Sequence, residues 1–224
     1  MQIEILHRDS LPLGGFAGLK EHRLVVDKRV NGDGRSCDGL GNFVYLADAS
    51  FLPKGETRLH SHKEIDVISV MVEGRIAHEG SLEHGKGMEA NQVQVQRAGG
   101  EGFSHNEVNP DPKSNRMIQL WVLPETPGER AGYKSYILKQ GTVTKIYGGY
   151  KEQDETFDSR TTLKVGMLNK DQNISQHGEF LAYITKGSGQ INGESVKDGD
   201  LVRGVDLECI PNENMQIIII THEV

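Results

Sequence analysis

No window of twelve or more residues in this chain carries a 3.6-residue apolar period with helix caps; short alternating runs between glycine turns recur instead. Residues 92–96 alternate strictly, with Val93 and Val95 facing one way and Gln92, Gln94 and Gln96 the other, as a half-buried strand requires. Glycine, 27 of the 224 residues, punctuates these runs. DVISVMVEGRIAHEGS reads as two strands about a hairpin turn at Glu73–Gly74, NFVYLADASFLP stops at a Pro53–Lys54–Gly55 turn, and RMIQLWVLPE is closed by Pro124. Such a pattern favours a β-sandwich or barrel over any βαβ fold.

The design recurs further along. GTVTKIYGG and TTLKVGMLN are strand-like, and GEFLAYITKGSGQINGESVKDGDLVRG repeats strand, turn, strand, Gly-Asp turn, strand. Residues 72–76 (VEGRI) lie against residues 185–189 (TKGSG) as a weak internal echo. The chain therefore reads as two β-barrel-like lobes that part between Tyr133 and Thr142, with PETPGERAGYK as the candidate connector.

Composition narrows the function classes. Hydrophobic residues at 36% and charged residues at 25% exclude a disordered chain, and a net charge of -7 argues against direct binding of a nucleic acid. Cys37 and Cys209 are the only cysteines and form no CxxC, which suggests free thiols in a reducing compartment. The start shows no basic patch followed by an apolar run, and the greasy run Ile217–Ile220 is too short to span a bilayer. The expectation is a cytoplasmic protein without a membrane partner.

The chemistry concentrates in two spaced pairs. His60 and His62 are one residue apart, so both imidazoles reach one side of a strand; His105 and Glu107 share that spacing. On neighbouring strands they would offer three nitrogens and one carboxylate oxygen, a set that suits Fe, Mn, Co, Ni, Cu or Zn and leaves open positions on an octahedral ion. Gly99, Gly100 and Gly102 are expected to form a tight turn aiming His105 and Glu107. Asp66, four residues past His62, falls on the histidine face of a regular strand and is expected to accept from a ligand imidazole, with Glu64 as a further carboxylate nearby. Trp121 reads as core. His78 and His84 flank a polar turn, and His7, His22, His177 and His222 have no partner at ligand spacing. Ser61–His62 and Ser104–His105 are adjacent pairs that face opposite ways, not a nucleophile and its base.

HSHKEIDVISVMVEGRIAHEGSLEHGKG, QVQVQRAGGEGFSHNEVNP and IQLWVLPE together resemble the pirin family of the cupin superfamily, nearest its bacterial branch with quercetin 2,3-dioxygenase activity. The likeness is strong over about residues 42–136 and looser beyond. It implies an all-β bicupin: two double-stranded β-helix (jelly-roll) barrels, residues 1–136 holding the metal and residues 142–224 holding none. His60, His62, His105 and Glu107 fall on the family's ligand positions, and the metal is expected to be Fe(II), with Mn, Co, Ni, Cu or Zn as alternatives. Ser61, Lys63, Glu64 and Asp66 depart from the usual string around the first motif, which bears on the substrate rather than the metal. The implied activity is dioxygen-dependent opening of a flavonol or similar enediol-like aromatic substrate, with Glu107 as catalytic base. The alternative is an iron-responsive regulatory protein that acts through a protein partner without turnover.

Overall fold

The computed structural model describes residues 3–82 and 85–223. Among them, the only helical elements are two three-residue 3₁₀ turns, Arg8–Ser10 and Lys28–Val30. No helix is long and apolar enough to cross a membrane. Strands make up the rest. In chain order they begin with β1 (Glu4–His7), β2 (Gly14–Phe16), β3 (Leu19–Val26), β4 (Phe43–Phe51), β5 (His60–His62) and β6 (Asp66–Glu73). There follow β7 (Arg75–Gly80), β8 (Gly87–Glu89), β9 (Gln92–Arg97), β10 (Phe103–Val108), β11 (Arg116–Val122) and β12 (Gly132–Ile137). The last seven are β13 (Thr142–Gly149), β14 (Ser159–Leu168), β15 (Ile174–Lys186), β16 (Ser188–Ile191), β17 (Glu194–Lys197), β18 (Asp200–Pro211) and β19 (Met215–His222).

The chain forms two compact units, and they are not contiguous in sequence. One comprises Leu11–Gly39 and Phe43–Ile137; the other gathers the chain up to Ser10, Leu40–Asn42 and the chain from Leu138 onward. The first ten residues join the later unit because β1 pairs antiparallel with β18. PETPGERAGYK is not a free connector either, since its end enters β12, which pairs with β9.

The earlier unit has a sheet of seven strands, order β12-β9-β6-β11-β4-β3-β2, and a sheet of four, order β5-β10-β7-β8. Glu73–Gly74 is therefore not a hairpin turn. Its two strands lie in different sheets, and Gly74, at φ 74°, turns the chain from one to the other. In the larger sheet Met71, Met117 and Ala49 stand abreast, then Ser69, Gln119 and Ala47, then Val67, Trp121 and Tyr45. Because side chains alternate, all nine face the same way. Met71, Met117 and Ala49 pack against Ile76 and Met88 of the smaller sheet in one buried apolar cluster. Polar and aromatic rows lie beyond it.

The later unit is one sheet of order β13-β14-β19-β15-β18-β16-β17, with β1 on β18. Phe180, Ile184, Val202, Leu207, Ile217 and Ile219 belong to its buried apolar cluster.

Candidate metal centre

The His60–His62 pair sits on a three-residue strand bracketed by two residues in the left-handed region, Arg58 at φ 66° and Glu64 at φ 52°. Non-glycine residues there cost on the order of 1 kcal/mol or more, a strain that recurs at functional sites. Pairing with β10 sets the register: His60 opposes His105, and His62 opposes Phe103. On the other side of β10, His105 opposes Gly80 and Glu107 opposes His78. All these residues face one way. A side chain at Gly80 would meet the Ser104 carbonyl oxygen and the His105 backbone, so glycine lets β10 lie close. Gly102, at φ 75°, makes the expected turn before His105, its N–H donating to the Ala98 carbonyl. Thr57 fixes the next ligand candidate by donating its N–H to the Glu107 carbonyl and accepting from the Glu107 N–H through Oγ1, both at 3.0 Å.

Three imidazoles converge. His105 Nε2 lies 3.0 Å from His60 Nε2 and 3.2 Å from His62 Nε2. Two nitrogens bound at right angles, each ~2.1 Å from one metal ion, would stand ~3.0 Å apart, so the spacing fits facial coordination. His60 Nδ1 donates to the Arg58 carbonyl at 2.9 Å, which leaves the Nε2 lone pair available to a metal ion. That bond also fixes ring orientation, as ligand imidazoles require. Burial, then the charge of His60, depresses the His62 pKa to about 4. Burial, then His60, His62 and His78, takes His105 to about 2. Both are neutral at physiological pH, the form that ligates a metal. A three-histidine site able to coordinate a divalent metal is thus present.

Glu107 is not part of that tight cluster. Its carboxyl is fully buried, accepts from Ser69 Oγ at 3.3 Å, and is pushed by burial up to about 7. An isolated carboxylate in such a place is costly unless a cation balances it. The donor set therefore fits a cation at the histidines.

A cavity of about 390 Å³ opens onto the site, lined among others by His60, His62, Glu107, Gln119, Tyr45 and Trp121. Small-molecule sites commonly measure roughly 300–1,000 Å³. Trp121 packs against two buried apolar clusters as expected of core, but it also lines the cavity: it is half-buried, stacks on Tyr45 with centroids 4.2 Å apart, and meets His62 edge-on at 5.9 Å. Asp66 is not on the histidine face. The left-handed Glu64 breaks the path between β5 and β6, and Asp66 is buried against Arg97 Nε at 3.3 Å. The Glu64 carboxylate turns instead to the Gly128 N–H at 2.9 Å. Ser61 and Ser104 bond each other at 2.7 Å, with no part in the cluster.

His78 is the residue that pattern reading passed over. It is 1% exposed, its ring centroid lies 5.4 Å from that of His105, and its Nε2 donates to the Leu82 carbonyl at 2.9 Å. The alternation Ile76, His78, Gly80 on β7 was the available signal. His84 lies outside the described residues. His22 contacts the Leu11 carbonyl, His7 the Asp200 carboxylate, His177 is close to Asp206, and His222 contacts Thr161.

A β-sheet unit with three imidazoles gathered beside a cavity defines a site able to coordinate a divalent metal. The pirin family model matches residues 29–122, and over that stretch the chain is similar to the pirin family. It is similar to a Zymomonas mobilis protein, itself a candidate quercetin 2,3-dioxygenase, at 28% identity over 175 residues, or 72% of this chain and 74% of that one. It is similar to the quercetin 2,3-dioxygenase of Escherichia coli K12 at 29% over 148 residues, 63% and 64% of the two chains. The nickel(II) complex of the bacterial pirin YhhW from Escherichia coli superposes with a TM-score of 0.86 over 100% of both chains at 17% identity, and so shares the double-stranded β-helical fold.

Proposed function

We propose that this chain is a metal-dependent dioxygenase of the quercetin 2,3-dioxygenase type, acting on a flavonol or a similar enediol-like aromatic compound. The observation that carries the reading is the convergence of His60, His62 and His105 at one wall of an aromatic-lined cavity. Support also comes from relatives of that name. The metal belongs to the earlier unit, with Fe(II) first among the candidates, and the later unit ligates none. A bound first-row ion would supply Lewis acidity toward a substrate oxygen and, when redox-active, an electron route to dioxygen.

The chain's own residues do the rest. His60, His62 and His105 present neutral nitrogens, and Glu107 completes the set as fourth ligand. Trp121 and Tyr45 offer a flat face for the substrate rings. Glu107 accepts the proton of the substrate's enolic hydroxyl; a carboxyl with its pKa near 7 is well matched to that exchange at neutral pH. The overall change consumes one flavonol and one dioxygen and releases a depside and carbon monoxide.

The test is turnover of a flavonol panel under air by protein loaded separately with iron, manganese, cobalt, nickel or copper, following carbon monoxide release. Metal-dependent release supports the reading. Fully loaded protein that turns over no flavonol with any of these metals sinks it and moves the assignment to a metal-responsive binding protein.

A further inference from the structure

One wall of the cavity holds an arrangement that the proposed oxygenation does not use. Glu21 and Arg23 stand two apart on β3 and share a face. The Glu21 side chain is only 4% exposed, whereas that of Arg23 is 52% exposed. Glu21 Oε1 accepts from Arg23 Nε at 2.6 Å, and Oε2 accepts from the Tyr45 hydroxyl at 3.1 Å. Both carboxylate oxygens are engaged, so the carboxylate serves as a brace. It holds a guanidinium whose five N–H donors it cannot all consume.

The remaining donors have an outlet. Arg23 lines the histidine cavity and also an adjoining one of about 370 Å³. From His62 the wall runs to Trp121 at 5.9 Å and on to Tyr45 at 4.2 Å. Tyr45 in turn bonds Glu21, which bonds Arg23. The route starts at metal-binding imidazoles, crosses two stacked rings and ends at a braced guanidinium.

We propose that Arg23 is a ligand-recognition residue that receives an anionic group, of carboxylate or sulfonate type, at the far end of a flat aromatic ligand whose oxygen-bearing head faces the three histidines. The proposal rests on the aromatic ligand of the preceding section and adds a polar tail to it. Guanidinium suits the task because its planar fork matches two oxygens of one anion, and the Glu21 brace lowers the ordering needed on binding. A purely structural Arg23, present only to neutralise Glu21, would show no preference among tails.

Trp121 is the only tryptophan of the chain and lines the cavity, so its fluorescence reports occupancy whether or not turnover occurs. The experiment titrates zinc-loaded and metal-free full-length protein with naphthalene-2,3-diol and with 6,7-dihydroxynaphthalene-2-sulfonate, which carries the same head with an anionic tail. Wild-type protein should bind the sulfonate about tenfold more tightly, as charge-assisted hydrogen bonds allow. In Arg23→Gln the ratio of the two dissociation constants should fall to within about twofold of unity. Because that change leaves Glu21 buried without its partner, the Glu21→Gln/Arg23→Gln double variant is measured beside it and should lose the preference equally. Equal binding of both probes by wild type, or a preference that survives in both variants, overturns the inference alone. Failure of both probes to quench Trp121 overturns it together with the aromatic-ligand reading beneath it.

Discussion

The two units echo each other in sequence and differ in what they enclose. In the later unit the inward residues are Phe180, Ile184, Val202, Leu207, Ile217 and Ile219, and even its cysteine, Cys209, behaves as a small apolar group whose thiol is pushed by burial up to about 12. In the earlier unit such packing is divided among smaller clusters, around Met71, Ile76, Met88 and Met117, around Val44 and Ala47, and around Val67, Ala98 and Phe103. Beyond those clusters the same sheets carry His60, His62 and Glu107 to a cavity wall, with His105 and His78 packed behind them. A strand framework tolerates this substitution because neighbouring side chains on a face are set by register, not by their chemistry. One unit packs the framework with apolar side chains; the other gives up part of that contact to hold neutral imidazoles and a buried carboxyl.

The comparison breaks most sharply if the histidines are removed. His105→Ala deletes the imidazole that stands within 3.2 Å of both others, and elemental analysis should find metal content reduced to near zero. Retention of stoichiometric metal would dissolve the distinction between the units. Glu107→Gln comes next. At matched metal occupancy it should keep the shape of the site yet lose ~10² to 10⁴ in turnover, the usual consequence of removing a positioned base. Near-wild-type rates would leave Glu107 an anchor only.

Packing differences should appear in stability. Phe180→Ala in the later unit should cost about 3–5 kcal/mol in urea unfolding, while loss of the ring of half-buried Trp121 by Trp121→Leu should cost much less and act chiefly on ligand binding. Comparable costs at the two positions would mean that the cavity wall is packed like a core.

A smaller effect concerns pH in metal-free protein. His62 and His105 have folded pKa values below 6.5, so their contribution is present above pH 6.5 and is lost as pH falls. Glu107, raised to about 7, works the other way: its contribution is present below about pH 4.5 and is lost as pH rises toward 7. Between pH 4.5 and 6.5 two imidazoles oppose one carboxyl and prevail. Stability should therefore fall on acidification by on the order of 1 kcal/mol per pH unit. Thermal unfolding across that window checks it, and an increase in stability toward acid would reverse the assignment of which group dominates.

Much of the fold and of the histidine cluster was legible in the sequence. Strict period-two alternation and the absence of any capped helical period were enough for an all-β chain. The spacing of His60 with His62 placed both on one strand face whatever their neighbours. Asp66 failed by the same rule. Parity counts hold only while the strand is regular, and a left-handed Glu64 resets the count before β6 begins. Glu73–Gly74 failed for another reason: a turn fixes the direction of the chain, while the partner of each strand is chosen by packing.

What the sequence by itself determined is therefore local: which residues extend, where they turn, and which pairs share a side. Tertiary structure alone decided which strands became neighbours, because pairing depends on contacts among residues far apart in the chain. It set His105 opposite His60, brought His78 beside them, placed core-packed Trp121 in a cavity wall as well, and moved the first ten residues into the later unit. The physical reason is common to all four. Hydrogen-bonded register between distant strands is selected by the burial of whole faces, a collective quantity that no single segment encodes.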